Sequence, residues 1–121
     1  MFNLTSEETY QDGQVIFQEG GTGGQVFVIL SGTVEVSKMG KEGKYVLNML
    51  NPKDVIGEIS FFGGFERTAT AKAVGEVKLG LIDLKPVDIE LEKTSENLRA
   101  LLLVMVDRYK NLIGRSSEDF Y

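Results

Sequence analysis

The stretch Val55-Ile56-Gly57-Glu58-Ile59-Ser60-Phe61-Phe62-Gly63-Gly64-Phe65-Glu66-Arg67-Thr68-Ala69-Thr70-Ala71 decides how this chain is read. It sets the acid Glu58 and the arginine Arg67 around a glycine-punctuated turn between apolar, β-prone runs. A guanidinium is always charged and presents five donors in a planar fork, so Arg67 can hold two oxygens of a phosphate at once, where a lysine acts only as a point charge. An ionised Glu58 can only accept hydrogen bonds and therefore suits hydroxyl groups. Arginine for phosphate beside a carboxylate for hydroxyls points to a nucleotide or a sugar phosphate.

Working outward, the chain before this stretch is a series of short β-prone runs: Val15-Ile16-Phe17, Val26 to Leu30, Val34-Glu35-Val36 and Tyr45 to Leu50. Turns at Gly20 to Gly24, Ser31-Gly32 and Gly40 to Gly43 separate them, which predicts an antiparallel sandwich or barrel. After it, Ala69, Ala71 and Ala73 alternate with polar residues, and Val77, Leu79 and Leu81 do the same, each with one buried face. The turn Asn51-Pro52-Lys53-Asp54 is expected to be type I, because lysine resists the positive φ that a type II turn demands. The tract Gly20-Gly21-Thr22-Gly23-Gly24 lacks the Gly-Lys-Ser/Thr ending of a P-loop and reads as a plain loop.

The last third changes period. Pro86 can open a short helix over Val87 to Lys93, and Thr94 or Ser95 can cap a second one that runs to about Ile113 before Gly114 ends it. Leu98, Leu101, Leu102, Met105, Tyr109, Leu112 and Ile113 follow the helical i, i+3/i+4, i+7 rule and are expected to face the sheet. Leu103, Val104 and Val106 widen the apolar stripe and are expected to face a second copy, giving a homodimer.

Composition bounds the chemistry. At 121 residues and 42% hydrophobic content the chain is expected to form one domain, residues 1–121, with strands over about 10–85 and helices over about 86–113. A net charge of −5 opposes direct nucleic-acid binding. With no histidine and no cysteine there is no imidazole base, no thiolate nucleophile and no usual zinc site, so no catalytic residue, metal or cofactor is assigned. Paired carboxylates remain for acid–base work, but eighteen acids make accidental pairs common. No apolar run approaches the roughly 18 residues of a membrane span. The opening Met1-Phe2-Asn3-Leu4-Thr5 lacks the basic-then-apolar pattern of an export signal, and a cytoplasmic location is expected.

The quoted stretch resembles the phosphate-binding cassette of the cyclic nucleotide-binding domain family, whose motif runs Gly-Glu-(Leu/Ile/Met)-Ala-Leu, a short insert, Pro-Arg, a small residue, Ala, then Thr or Ser. Gly57, Glu58, Ile59, Arg67, Thr68, Ala69 and Thr70 match. Ser60 and Phe61 replace Ala-Leu, and Glu66 replaces the proline, as in bacterial transcription factors of the catabolite activator type. Upstream, Gly13, Ile16-Phe17, Gly20, Val26 to Ile29, Gly32 and Val34 to Val36 stand at the family's strand and turn positions, so the resemblance covers roughly residues 10 to 113.

That resemblance implies a mainly β fold, an antiparallel β-roll or jelly-roll (double-stranded β-helix) of about eight strands with C-terminal helices. It implies a ligand, cAMP or cGMP, held by Gly57, Glu58, Ile59, Ser60, Arg67, Thr68 and Ala69. Arg67 would take the phosphate, Glu58 the ribose 2′-hydroxyl, and Thr68 the phosphate or a guanine amino group. Val36, Leu47, Asn48, Leu112 and Ile113 would lie about the base. The helix after Gly57 would offer backbone N–H groups to the anion. The function implied is a sensor that passes ligand occupancy through its C-terminal helices to an effector protein. The alternative is a degenerate, ligand-free copy of the fold that serves as an interaction module. After Ile113 too few residues remain for a helix-turn-helix, so the chain is expected either to act through a partner or to be part of a longer protein.

Overall fold

The computed structural model describes residues 2–64 and 66–118, with the side chains of its last helix described through Leu112. Six strands come first: β1 Leu4–Tyr10, β2 Val15–Phe17, β3 Phe27–Gly40, β4 Gly43–Leu50, β5 Val55–Ile56 and β6 Thr70–Ile82. The helix α1 Glu58–Gly63 interrupts them before β6, and α2 Lys85–Lys93 and α3 Glu96–Glu118 follow. All pairings are antiparallel, in the order β1-β6-β3-β4, with β2 also on β6 and β5 also on β3.

Six strands stand where about eight were expected because two pairs of runs fuse. Val26 to Leu30 and Val34 to Val36 join in β3 through Gly32, whose φ of 89° and two flanking register shifts bend the strand without breaking it. A Cβ on Gly32 would stand 2.4 Å from the Glu76 carbonyl oxygen, so no other residue fits this approach. The alanine and leucine runs likewise fuse in β6. The sheet also starts earlier than residue 10. β1 pairs from Leu4 opposite Ile82 to Tyr10 opposite Val77, and all its residues but Tyr10 are exposed. Neither of its faces carried the alternation that marks a half-buried strand.

Both faces of β3 are covered where it begins. Phe27 and Ile29 point into the main core with Val34, Ile56, Ala71, Ala73, Val77 and Leu79. Val26 and Val28 point the other way, onto Ile82, Val55, Phe61 and Leu84. A run apolar at every position is what a strand buried on two sides requires. Each fully buried large side chain here, Ile29 and Leu79 among them, contributes about 1.5–3 kcal/mol by leaving water.

The turn at 51–54 corrects the expectation. Lys53 has φ 80°, and with Pro52 before it and the Asp54 N–H on the Asn51 carbonyl at 3.0 Å the turn is type II. Tertiary bonds override the preference of lysine. The Lys53 N–H donates to the Ile29 carbonyl, the Ile29 N–H to the Asp54 carbonyl, both at 2.9 Å, and the Asn51 N–H to Asp54 Oδ2 at 2.8 Å.

Two further corrections fall on α3. Ser95 Oγ accepts from the Leu98 N–H at 3.2 Å as expected of a cap, but the helix runs through Gly114 to Glu118. A glycine inside a helix costs about 1 kcal/mol against alanine, which lowers helicity without forbidding it. The faces are also exchanged in part: Leu102 lies toward the domain and Leu103 and Val104 are exposed as expected, but Val106 trades places with Leu98, Leu101 and Met105. Val106 is buried and Arg99 and Leu102 are half-buried, an i, i+3, i+7 row against the domain, whereas Leu101 and Met105 are 62% and 65% exposed. Leu98, Tyr109 and Leu112 are exposed with them, as are Leu103 and Val104. The helix packs on α1 and reaches β3 and β4. Arg99 fastens it to its predecessor, donating from Nη2 to the Leu91 carbonyl at 2.7 Å and the Thr94 carbonyl at 3.2 Å.

Candidate functional site

Gly57 caps α1 in the left-handed region, φ 91°, and a Cβ there would lie 2.6 Å from the Gln25 carbonyl oxygen and 2.7 Å from Arg67 Nη1. Only glycine lets the chain turn into α1 this close to the arginine. The short helix then places Glu58 at its first turn and turns Ser60 inward, where it is 5% exposed.

Arg67 sits beneath, 4% exposed, with its guanidinium carbon 4.3 Å from the centre of the Phe17 ring. Nη1 donates to Ser60 Oγ at 2.9 Å and to the Gly57 carbonyl at 3.3 Å, and Nη2 to the Gln25 carbonyl at 2.9 Å. The backbone is pinned as well. The Arg67 N–H donates to the Gly21 carbonyl and the Gly20 N–H to the Arg67 carbonyl, both at 2.9 Å. The glycine tract is therefore more than a connecting loop: with Gln25 it wraps the arginine on two sides.

Two polar atoms at this site are buried without a hydrogen-bond partner, Arg67 Nε and Glu58 Oε2. Burial pushes the Glu58 carboxyl above its usual range, offset in part by its own backbone N–H and by the Arg67 charge. Burial likewise lowers the Arg67 guanidinium, and the Glu58 charge works against that. An unpartnered donor and an unpartnered acceptor on residues that line one cavity suit a ligand that brings both an anion and a hydroxyl.

These groups face a cavity of about 340 Å³, within the size range of small-ligand pockets. It brings together Gly57, Glu58, Ile59, Ser60, Arg67, Thr68 and Ala69 with Val36, Leu47, Asn48 and Leu112. The side chain of Ile113 lies outside the described residues. Asn48 Oδ1 accepts from the Met49 N–H at 2.9 Å, which ties that side chain to its own strand. Sequence reasoning missed Phe17, Tyr109 and Gln25. Phe17 and Tyr109 read as core by their spacing, and Gln25 contributes only a carbonyl, which no residue type announces.

A β-roll with an arginine and an acid converging on one pocket defines a small-ligand binding domain. The family model for the cyclic nucleotide-binding domain matches residues 7–93, and the chain belongs to that family. Over 99 residues it is 28% identical to a CRP-like cAMP-activated global transcriptional regulator of Mycobacterium tuberculosis, covering 81% of this chain and 44% of the relative. Over 104 residues it is 29% identical to the cAMP-dependent protein kinase regulatory subunit of Dictyostelium discoideum, covering 77% of this chain and 32% of the relative. The chain thus spans less than half the length of either. Its fold matches the EAL enzyme Bd1971 in its cAMP-bound form with a TM-score of 0.82 at 21% identity, over 92% of this chain and 30% of that one. The relatives align through a regulatory nucleotide-binding domain. Among the described residues no helix is long and apolar enough to cross a membrane.

Proposed function

We propose that this chain is a cytoplasmic cyclic nucleotide sensor domain that takes cAMP or cGMP, performs no catalysis and reports occupancy through its C-terminal helices to an effector protein. The observation that carries the reading is the pair of unpartnered buried atoms, Arg67 Nε and Glu58 Oε2, in one cavity. Arg67 takes the cyclic phosphate, and Glu58 accepts from the ribose 2′-hydroxyl. Thr68 stands beside the phosphate, while Val36, Leu47 and Leu112 offer an apolar surface to the purine. Such a surface gains from burial and selects weakly, so the reading keeps both nucleotides.

The path to the helices is short. Tyr109 and Leu112 of α3 line the same cavity, and α3 packs on α1, so a ligand that favours one placement of α1 biases α3 with it. The exposed apolar residues Leu98, Leu101 and Met105 recur at heptad spacing and suit a two-fold contact with a second copy.

Calorimetric titration with cAMP, cGMP and cyclic di-GMP tests the reading. Arg67→Ala should weaken cyclic nucleotide binding by about 2–4 kcal/mol with the fold retained, the scale for removing one partner of a buried charge pair. Unchanged affinity would remove Arg67 from the phosphate. The competing reading, a ligand-free interaction module, draws on the three protein oxygens that already engage Arg67. It requires that no cyclic nucleotide bind the wild-type protein.

A further inference from the structure

Donor counting at Arg67 singles out Ser60. Of the five N–H groups, both on Nη1 are taken by Ser60 Oγ and the Gly57 carbonyl, and one on Nη2 by the Gln25 carbonyl. Two remain, the Nε–H and one on Nη2, and these nitrogens form one edge of the guanidinium. Nε is buried without a partner. A Cβ on Gly23 would stand 3.4 Å from Nη2 and 3.9 Å from Nε, so the glycine leaves that edge clear of any side chain.

Ser60 is chemically suited to fix this arrangement. An arginine only donates, so Ser60 Oγ accepts from Nη1 at 2.9 Å and directs its own proton to the Gly57 carbonyl at 3.3 Å. Gly57 O thus receives from both partners, and the three groups close a ring inside the first turn of α1. The hydroxyl is buried, and it stands where the cassette motif described above has an alanine that could take no part. The ring holds the far end of the guanidinium and leaves the Nε–H on the other edge without a protein partner.

We propose that Ser60 is the positioning residue of the anion clamp: through Arg67 Nη1 and the Gly57 carbonyl it sets the rotation of the guanidinium so that Nε–H and the second Nη2–H are presented to the ligand phosphate. The proposal rests on the cyclic nucleotide reading of the site. The Ser60 hydroxyl is committed to Arg67 Nη1 and the Gly57 carbonyl. It removes the rotational freedom that Arg67 would otherwise lose on binding, which is how pre-organisation strengthens a charge-assisted contact.

The test pairs two measurements on the full chain. In calorimetry, Ser60→Ala should weaken cAMP and cGMP about tenfold, the scale of one hydrogen bond to a charged group. In NMR of the ligand-free protein, the Arg67 Nε–H signal, assigned by its loss in Arg67→Lys, should exchange with solvent faster in Ser60→Ala than in wild type. Unchanged affinity, or unchanged Nε–H exchange, overturns the proposal. If the wild type binds no cyclic nucleotide, the functional reading falls, and the Nε–H measurement still decides whether Ser60 holds the arginine. Should the alanine variant fail to fold, Ser60→Cys keeps the size while replacing the hydroxyl with a poor acceptor, and the same outcomes apply.

Discussion

The sheet and the last helix invest their apolar residues in opposite ways. Within β3 and β6, Phe27, Ile29, Val34, Ala71, Ala73, Val77 and Leu79 are buried inside one chain. In α3, of the residues with described side chains, only Val106 is buried, while Leu98, Leu101, Leu103, Val104, Met105, Tyr109 and Leu112 are exposed. A helix of 23 residues gains most of its stability from tertiary contact, not from propensity. The centre of the sheet closes on itself, with exposed apolar residues such as Met39, Val46 and Met49 scattered along its strands, whereas the helix gathers its exposed apolar residues on one element.

The contrast breaks if the two regions respond alike to truncation. Leu79→Ala should cost about 2–5 kcal/mol in urea unfolding, since it opens a cavity among fully buried neighbours. Val106→Ala should cost about 1.5–3 kcal/mol by the same measurement, because this one α3 side chain belongs to the domain core. Leu101→Glu should leave the unfolding free energy of the monomer within about 0.5 kcal/mol and convert a dimer to a 13.4 kDa species in sedimentation at micromolar concentration. A wild-type protein that sediments as a monomer with and without nucleotide removes the two-fold contact altogether.

Two smaller effects sharpen the picture at the site and at its supporting turn. The folded chain holds the Glu58 proton at pH values where the unfolded chain has released it, because burial raises that carboxyl above its ordinary 4.5. Stability therefore falls as pH rises from the ordinary value through the raised one, and Glu58→Gln should remove that slope, gaining at neutral pH and nothing in strong acid. Its nucleotide affinity should drop less than that of Arg67→Ala, and the drop should shrink for a 2′-deoxy nucleotide. Equal losses for both would separate Glu58 from the ribose. Lys53→Gly relieves a positive φ on a side-chain-bearing residue and should raise thermal stability by up to about 1 kcal/mol, read as a rise in Tm.

What was legible in the sequence was the chemistry that lives in side-chain type and local spacing. Gly57, Glu58 and Arg67 stand within eleven positions of one another, and the structure gathers them at one cavity. The alternation of Ala69, Ala71 and Ala73 named buried positions correctly. What was hidden was carried by backbone atoms or by choices between equivalent faces. The Gln25 carbonyl and the Gly21 carbonyl, which hold Arg67, leave no mark in the residue type. Lys53 adopts its turn because Ile29, from elsewhere in the fold, accepts from the Lys53 N–H and donates to the carbonyl of its neighbour Asp54. On α3 the apolar residues from Leu101 to Val106 cover almost every direction, so periodicity could not say which side meets the sheet.

The bonds from Arg99 to the carbonyls of Leu91 and Thr94 tie the two C-terminal helices together at their joint. They join the start of α3 to the end of α2, so on the proposed sensor reading a push on Tyr109 or Leu112 would reach both helices together. The hinge of such a movement would fall ahead of α2, at Asp83-Leu84, where β6 has ended and the Asp83 N–H donates to the Asn3 carbonyl at 2.7 Å. Because Asn3 leads directly into β1, a displacement of the helices would on that reading reach the outer edge of the sheet, at the far end of the β1-β6-β3-β4 order from the β4 residues that line the cavity.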